Sequence, residues 1–423
     1  MTIHIYAASH LLPVSAPPIE GGALAVANGR ILAVGTLAEL TTAFTAPVTE
    51  FPGCVIMPGL VNAHSHLELT HFPSWKVRKG IDYSPRTYVD WIIQVIKIRR
   101  SLSQEEREHS VLEGIRISLE AGTTALGEIL SDPGLLSLYL RAPISGRLYL
   151  EAVGQSPQRS AGLLDAINGS LPLFLETALL PGISPHAPHT LSADFFRQLR
   201  DLAGANSLPL MIHLAESREE LDFLFDSSGP VAEKLYPFVD WLEYLPPARR
   251  TTPVAYLDSL EVLRPGTTVV HCVHITPAEA ELLQKRGVTV VLCPRSNDKL
   301  DVGSAPVHLL KKTGIPLALG TDSLASNDSL SLFDEARFLL RQFPGEFSPS
   351  DVLRLITLAG AEAIGRSNAI GSLEQGKRGD FLVLSLRDNP VGDLCSAIIE
   401  EGRIREVFVN GESLHLPVSS GAA

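Results

Sequence analysis

The sequence predicts an α/β protein, a (β/α)8 TIM barrel with a small β-sandwich domain formed by both chain ends. Three features predict it. Six apolar, strand-like runs each lead to metal-binding or acid–base side chains; the texture from Pro58 to about Gly365 alternates strand with helix; and both chain ends carry short strands and hairpin turns instead. The six runs are Val55–Met57 leading to His64-Ser65-His66, Pro181–Ile183 to His186, Leu208–Ile212 to His213 and Glu216, Thr267–Val270 to His271, Val288–Leu292 to Arg295-Ser296-Asn297, and Ile315–Leu319 to Asp322. Side chains gathered at the carboxyl ends of successive strands are the arrangement of a barrel whose active site lies on that face.

Taken in order, residues 1–57 alternate short apolar runs with turns, as in Ile3–Ala7, Gly22–Ala27, Arg30–Val34 and Val48–Phe51, with Asn28-Gly29 as a hairpin signal. Small antiparallel strands are expected there. Residues 366–423 repeat the signature at Phe381–Leu384 and Val407–Val409 followed by Asn410-Gly411, so the two ends are expected to form one module flanking a barrel at 58–365. Within the barrel, Thr123–Gly127 and Arg147–Leu150, ending in Glu128 and Glu151, bring the strand count to eight and permit closure. Tyr88, Trp91, Ile92, Val95 and Ile96 recur at helical spacing and predict an amphipathic helix. Ser103 with Glu106, and Thr276 with Pro277 and Glu279, read as capping boxes at helix starts.

Composition narrows the function. A chain of 423 residues with 45% hydrophobic content and a net charge of −12 is a well-buried globular protein without the basic footprint that nucleic acid or an anionic membrane surface requires. A small-molecule partner is expected. Cys54, Cys272, Cys293 and Cys395 are scattered, with no C-x-x-C pair, and read as reduced thiols of a cytoplasmic protein. No run approaches the ~20 apolar residues of a membrane span, and no signal peptide is evident. Several catalytic motifs are absent: there is no H-E-x-x-H, no H-x-E with P-C-x-x-C, and no G-x-S-x-G. Gly371–Lys377 nearly spells a phosphate loop, but Arg378 stands where Ser or Thr must hold magnesium, and it reads as a turn.

The metal reading begins at His64 and His66. Residues two apart on a strand share a face, so both imidazoles can reach one cation, although an isolated H-x-H is often a chance pair. His213 and Asp322, on later strands, would complete three nitrogens and one carboxylate around a divalent ion, leaving a position for a water whose pKa a metal lowers towards ~7.

Seven segments sharpen this: Pro58-Gly-Leu-Val-Asn-Ala-His-Ser-His66, Ser184-Pro-His-Ala-Pro188, His213-Leu-Ala-Glu216, His271-Cys-Val-His274, Cys293-Pro-Arg-Ser-Asn297, Gly320-Thr-Asp-Ser323 and Gly376-Lys-Arg-Gly-Asp-Phe381. Spanning nearly the whole chain, they resemble the amidohydrolase superfamily, in its nucleobase and nucleoside aminohydrolase and triazine hydrolase branch. The resemblance implies that His64, His66, His213 and Asp322 bind one divalent metal, zinc first, with iron or manganese as alternatives. It implies that Glu216 is the proton shuttle and that His271 orients the incoming water or the leaving group, with Asp322 serving both as ligand and as proton acceptor. A homodimer is common among such relatives. Binuclear relatives use a carboxylated lysine after strand four, whereas no lysine occurs here between Lys97 and Lys234, so a mononuclear centre is expected. Deaminases of S-adenosylhomocysteine or methylthioadenosine usually continue past H-x-H with a Met and an Arg-Gly pair; here Leu67-Glu68-Leu69-Thr70-His71 follows. The pattern is more similar to aminodeoxyfutalosine deaminases of menaquinone biosynthesis, whose substrate joins an adenine nucleoside to a benzoate.

Substrate contacts are expected from His186, Arg295, Asn297, Glu68 and Glu151. Arg295 would fork onto the carboxylate, or else make an internal ion pair. His186 would bind a hydroxyl or carboxylate, or simply pack. Glu68, Glu128 and Glu151 line the mouth and hold ribose hydroxyls, or are solvated or salt-bridged. Of the two histidines on that strand end, His271 is taken as catalytic because it terminates the apolar run, leaving His274 to pack or cap. The expected activity is hydrolytic removal of the 6-amino group of an adenine nucleoside derivative. The competing readings are a methylthioadenosine or S-adenosylhomocysteine, guanine or cytosine deaminase, a triazine-type chlorohydrolase, and an inactive barrel serving as a binding scaffold.

Overall fold

A computed structural model describes residues 2–175, 177–386 and 393–414. Two sheets organise them. The first is mixed and comes from both chain ends: β1 (His4–Leu11), β2 (Ile19–Glu20), β3 (Gly22–Ala27), β4 (Arg30–Thr36) and β5 (Val48–Pro58), joined by β14 (Phe381–Ser385), β15 (Arg403–Val409) and β16 (Glu412–Ser413). The second comprises eight parallel strands: β6 (Leu60–Ser65), β7 (Thr123–Leu130), β8 (Ser145–Ala152), β9 (Leu179–Pro185), β10 (Leu210–Leu214), β11 (Thr267–His271), β12 (Thr289–Leu292) and β13 (Leu317–Leu319). They run in chain order, and a parallel bridge between Ser65 and Asp322 joins the last to the first. Parts of the expected carboxyl-terminal module, 387–392 and 415–423, lie outside the described residues.

Two expectations change in detail. Val55–Met57 belongs to the terminal sheet, where it pairs with β1 and β14, and the strand that delivers His64 is Leu60–Ser65. Gly59 divides one long apolar stretch between two sheets. Its amide donates to the Asp380 carbonyl, and a Cβ there would lie 2.0 Å from Thr124 Oγ1. The terminal sheet is also not wholly antiparallel, because β1 and β5 pair in parallel across the crossover that carries β3 and β4. It curls on itself, so that Gly411, in the β15–β16 turn, lies against Val26 of β3. Phe381 and Phe408 stack inside the curl at 4.2 Å, with Tyr6 against both. Asn28-Gly29 and Asn410-Gly411 turn the hairpins, all four in the left-handed region that favours Asn and Gly.

The helices form where their sequence allows. Tyr88–Arg100 starts at Thr87, whose hydroxyl accepts from the Asp90 amide, and the Ser103/Glu106 and Thr276/Glu279 capping boxes are both made. No described helix is long and apolar enough to cross a membrane. The four cysteines are free, three of them buried.

The barrel seam positions the site. The Asp322 amide donates to the His64 carbonyl at 3.1 Å and the His66 amide to the Asp322 carbonyl at 3.4 Å. Beneath them the Asn62 amide group donates to Thr321 Oγ1 at 2.7 Å while its oxygen accepts the Thr321 amide at 3.1 Å. Gly320 makes the seam possible, since a Cβ on it would sit 2.8–2.9 Å from the backbone and Cβ of His64. Gly320→Ala is therefore expected to destabilise the fold by about 1–3 kcal/mol through overpacking and to lower metal content. Thermal unfolding and elemental analysis check both.

Candidate active site

The carboxyl ends of the barrel strands bring His64, His66 and His213 together, with one ligand atom from each within 4.8 Å of the others, a cluster that can hold a metal ion. His66 Nε2 and His213 Nε2 are 3.3 Å apart, and Asp322 Oδ1 lies 3.8 and 3.7 Å from the Nε2 atoms of His64 and His66. His64 Nε2 is buried without a hydrogen-bond partner. Burial holds the His64 imidazole well below its ordinary pKa and His66 at about 4, so both rings are neutral at pH 7 with lone pairs to offer. The far sides of His213 and Asp322 are fixed too. His213 Nδ1 donates to the His186 carbonyl at 3.0 Å, and Asp322 Oδ2 accepts from Ser296 and Ser326, both at 2.7 Å, leaving Oδ1 towards the imidazoles. These residues suit a divalent cation: three imidazole nitrogens, one of them buried and otherwise orphaned, and one carboxylate oxygen.

The acid–base groups adjoin this cluster. Glu216 Oε1 lies 3.6 Å from His271 Nε2, and its Oε2 accepts from the Tyr88 hydroxyl at 2.6 Å. Burial raises the Glu216 carboxyl to about 7, a value suited to taking up and releasing a proton at neutral pH. Glu220 accepts the amides of Ala215 and Glu216 at 3.2 and 3.1 Å and so holds the left-handed turn at Ala215 that aims Glu216 inward. His271 donates from Nδ1 to Asn297 Oδ1 at 2.9 Å, which fixes the tautomer and leaves the Nε2 lone pair facing the site. His274, in contrast, bonds the Val302 carbonyl through Nε2.

A cavity of about 440 Å3 opens above this cluster, lined by His66, Glu151, His186, His213, Glu216, His271 and Asp322. Trp91, Ile92, Val95 and Ile96 form one apolar wall and Leu235, Val239 and Trp241 another, with Arg99, Arg100 and Arg159 among the lining groups. Of the expected substrate contacts, the structure places His186 and Glu151 in this cavity but three others elsewhere. Arg295 lines a separate cavity of about 270 Å3 with Lys299, Asp328 and Arg337, 3.6 Å from Asp334. The helix Pro294–Lys299 explains the difference, since Ser296 and Asn297 take its buried face and Arg295 is turned off it. Asn297 reaches the site through His271. Glu68 is buried, with its oxygens committed to the amides of Ser131 and Asp132 and to Arg99. Glu128, also considered for the mouth, is sealed inside by Ser65, Leu67 and Tyr139. Sequence reasoning missed Tyr88, which carried no signal beyond its place on an apolar helix face, and the rim arginines, which follow no local motif.

A closed parallel barrel whose strand ends present convergent imidazoles and a carboxylate defines the class of hydrolases that work around a metal centre. Residues 55–414 match the amidohydrolase family, and residues 22–46 match an imidazolonepropionase-like composite domain of bacteria. The chain is 31% identical over 354 residues to the aminodeoxyfutalosine deaminase of Deinococcus radiodurans, covering 81% of each chain. It is 32% identical over 420 residues to a 5-methylthioadenosine/S-adenosylhomocysteine deaminase of Nitratidesulfovibrio vulgaris, covering 94% of this chain and 88% of the relative. Among solved structures, an adenosine deaminase of Xanthomonas campestris with bound zinc superposes with a TM-score of 0.80 at 26% identity, covering 97% of this chain and 92% of that one. The chain belongs to the amidohydrolase family, and it is a hydrolase of the kind that acts on carbon–nitrogen bonds.

Replacing His66 by Ala removes a nitrogen from the cluster and is expected to lower the metal-to-chain ratio measured by elemental analysis after dialysis. Arg295→Ala is expected to leave that ratio unchanged and to cost at most about 1 kcal/mol of stability, as for a partly exposed ion pair.

Proposed function

We propose that this protein is a mononuclear, divalent-metal-dependent deaminase that removes the 6-amino group of an adenine nucleoside derivative as ammonia, and that the derivative is aminodeoxyfutalosine, on the route to menaquinone in the cytoplasm. The observation that carries the reading is the convergence of His64, His66, His213 and Asp322 beside Glu216 and His271 at the base of one cavity. The donor set of three imidazoles and a carboxylate suits zinc, then iron or manganese. When bound, such an ion supplies Lewis acidity that brings the pKa of a water towards ~7.

The protein's own groups then act on the proton and the substrate. Deamination is addition of water at the amino-bearing ring carbon followed by loss of ammonia. Glu216 takes a proton from the attacking water and returns it to the adjacent ring nitrogen, a transfer that its carboxyl, at about 7, makes without a large energetic mismatch. His271, with its proton held at Nδ1 by Asn297, accepts a hydrogen bond at Nε2 and orients the water and the departing amine. Asp322 Oδ1 is the second acceptor, taking the remaining proton of that water and passing it to the amino group, which departs as ammonia. Glu151 and His186 also line the cavity, and they are assigned the ribose hydroxyls.

The cavity supports a large 5′ group: its two apolar walls suit an aromatic ring, and neither Arg100 nor Arg159 has a carboxylate partner among the described residues. These two take over the role first assigned to Arg295. A methylthioadenosine or S-adenosylhomocysteine deaminase is the second reading, favoured by the likeness to the Nitratidesulfovibrio relative.

An ammonia-release screen separates them. Aminodeoxyfutalosine is expected to show the highest kcat/KM among adenosine, methylthioadenosine, S-adenosylhomocysteine, guanine and cytosine. Arg100→Ala and Arg159→Ala are each expected to raise KM for carboxylated substrates by about tenfold or more, leaving methylthioadenosine little affected. Turnover of guanine or cytosine alone would refute the assignment, and no ammonia from any of them with the metal bound would favour a binding scaffold.

A further inference from the structure

We infer that Tyr88 is a positioning residue for proton transfer, committing one oxygen of Glu216 so that the other carries the proton. The inference rests on the reading of Glu216 as the proton shuttle and goes beyond it by assigning the two carboxylate oxygens different tasks. Tyr88 is buried, and its hydroxyl donates to Glu216 Oε2 at 2.6 Å. Oε1, on the other side of the carboxylate, faces His271 Nε2 at 3.6 Å and is left as the proton-accepting atom. Burial, reinforced by the Glu216 charge, pushes the Tyr88 hydroxyl well above its ordinary pKa, so it stays protonated and acts as a donor.

A glutamate side chain turns freely about its terminal torsion unless both ends are fixed. Here Glu220 fixes the backbone and Tyr88 fixes the carboxylate. The hydroxyl is in turn held in place because Tyr88 is the first residue of a pinned helix. Thr87 caps that helix, Trp91 Nε1 donates to the Ala325 carbonyl at 3.1 Å, Gln94 donates to the carbonyls of Ile81 and Tyr83, and Lys234 pairs with Asp90 at 3.0 Å. The same helix supplies Trp91, Ile92, Val95 and Ile96 to the cavity wall. The wall that would meet the 5′ group of the substrate and the group that aims the proton shuttle thus belong to one rigid element.

The test compares wild type, Tyr88→Phe, Glu216→Gln and the double variant by ammonia release, with metal content and melting temperature measured on each. Tyr88→Phe removes one oxygen and is expected to lower kcat about ten- to a hundredfold, with KM within about threefold and metal content unchanged. In the Glu216→Gln background the same substitution is expected to change kcat by less than about twofold, because its effect passes through Glu216. Full kcat in Tyr88→Phe overturns the inference. So does a change in KM alone, which would make Tyr88 a substrate contact, or a loss that persists undiminished in the Glu216→Gln background, or a loss of metal or fold, either of which would make its role structural. A fully active Glu216→Gln overturns the underlying reading of Glu216 and is distinguished by that variant alone.

Discussion

The site depends on one pairing, the closure of the barrel between its first and last strands. His64 and His66 flank Ser65, and the bridge from Ser65 to Asp322 sets a carboxylate 257 residues further along the sequence beside both imidazoles. Main-chain hydrogen bonds of Asp322 and His66, with the Asn62 side chain on Thr321, hold the seam without using the imidazoles or the Asp322 carboxylate. Gly320 admits the close approach. A shift of one residue in that register would turn Asp322 away from the barrel mouth, because strand side chains alternate in direction.

Around the seam the protein accepts local costs that place chemistry. Ala215, His271, Cys272 and Asp322 all occupy left-handed backbone at strand ends, where non-glycine residues each pay roughly 1–3 kcal/mol. The bend at Ala215 leads into Glu216, and those at His271 and Asp322 carry side chains that line the cavity, while Cys272 packs in the continuous barrel core. The same economy governs charge. Burial holds His64 and His66 below the ordinary imidazole range and raises the Glu216 carboxyl to about 7, the range in which a group in such a site can exchange a proton at neutral pH. A fully solvated Glu216 would be ionised throughout the neutral range and a poor proton donor to a ring nitrogen.

Much of this was legible in the chain because it follows from local pattern. Strand ends at His186, His213, His271 and Asp322, the alternation of strand and helix, and both capping boxes are read from periodicity and residue type. What was not legible arises from direction and distance. Val55–Met57 looks like a first barrel strand because it is apolar and precedes the H-x-H, yet Gly59 hands the chain to another sheet. Arg295 follows an apolar strand like the residues that line the cavity, but a turn of helix rotates it outward while bringing Ser296 to Asp322 and Asn297 to His271. Glu68 and Glu128 have the right chemistry, but neighbouring amides and hydroxyls already occupy their oxygens. Tyr88 reaches Glu216 across 128 residues of sequence, a separation that no local pattern encodes.

The most direct measurement is anomalous diffraction from crystals of the metal-loaded protein at the absorption edge of its bound metal. A single ion within about 2.3 Å of a nitrogen from each of His64, His66 and His213 and of a carboxylate oxygen of Asp322 is the predicted result. An ion held by other residues, or two ions in the mouth, would contradict it.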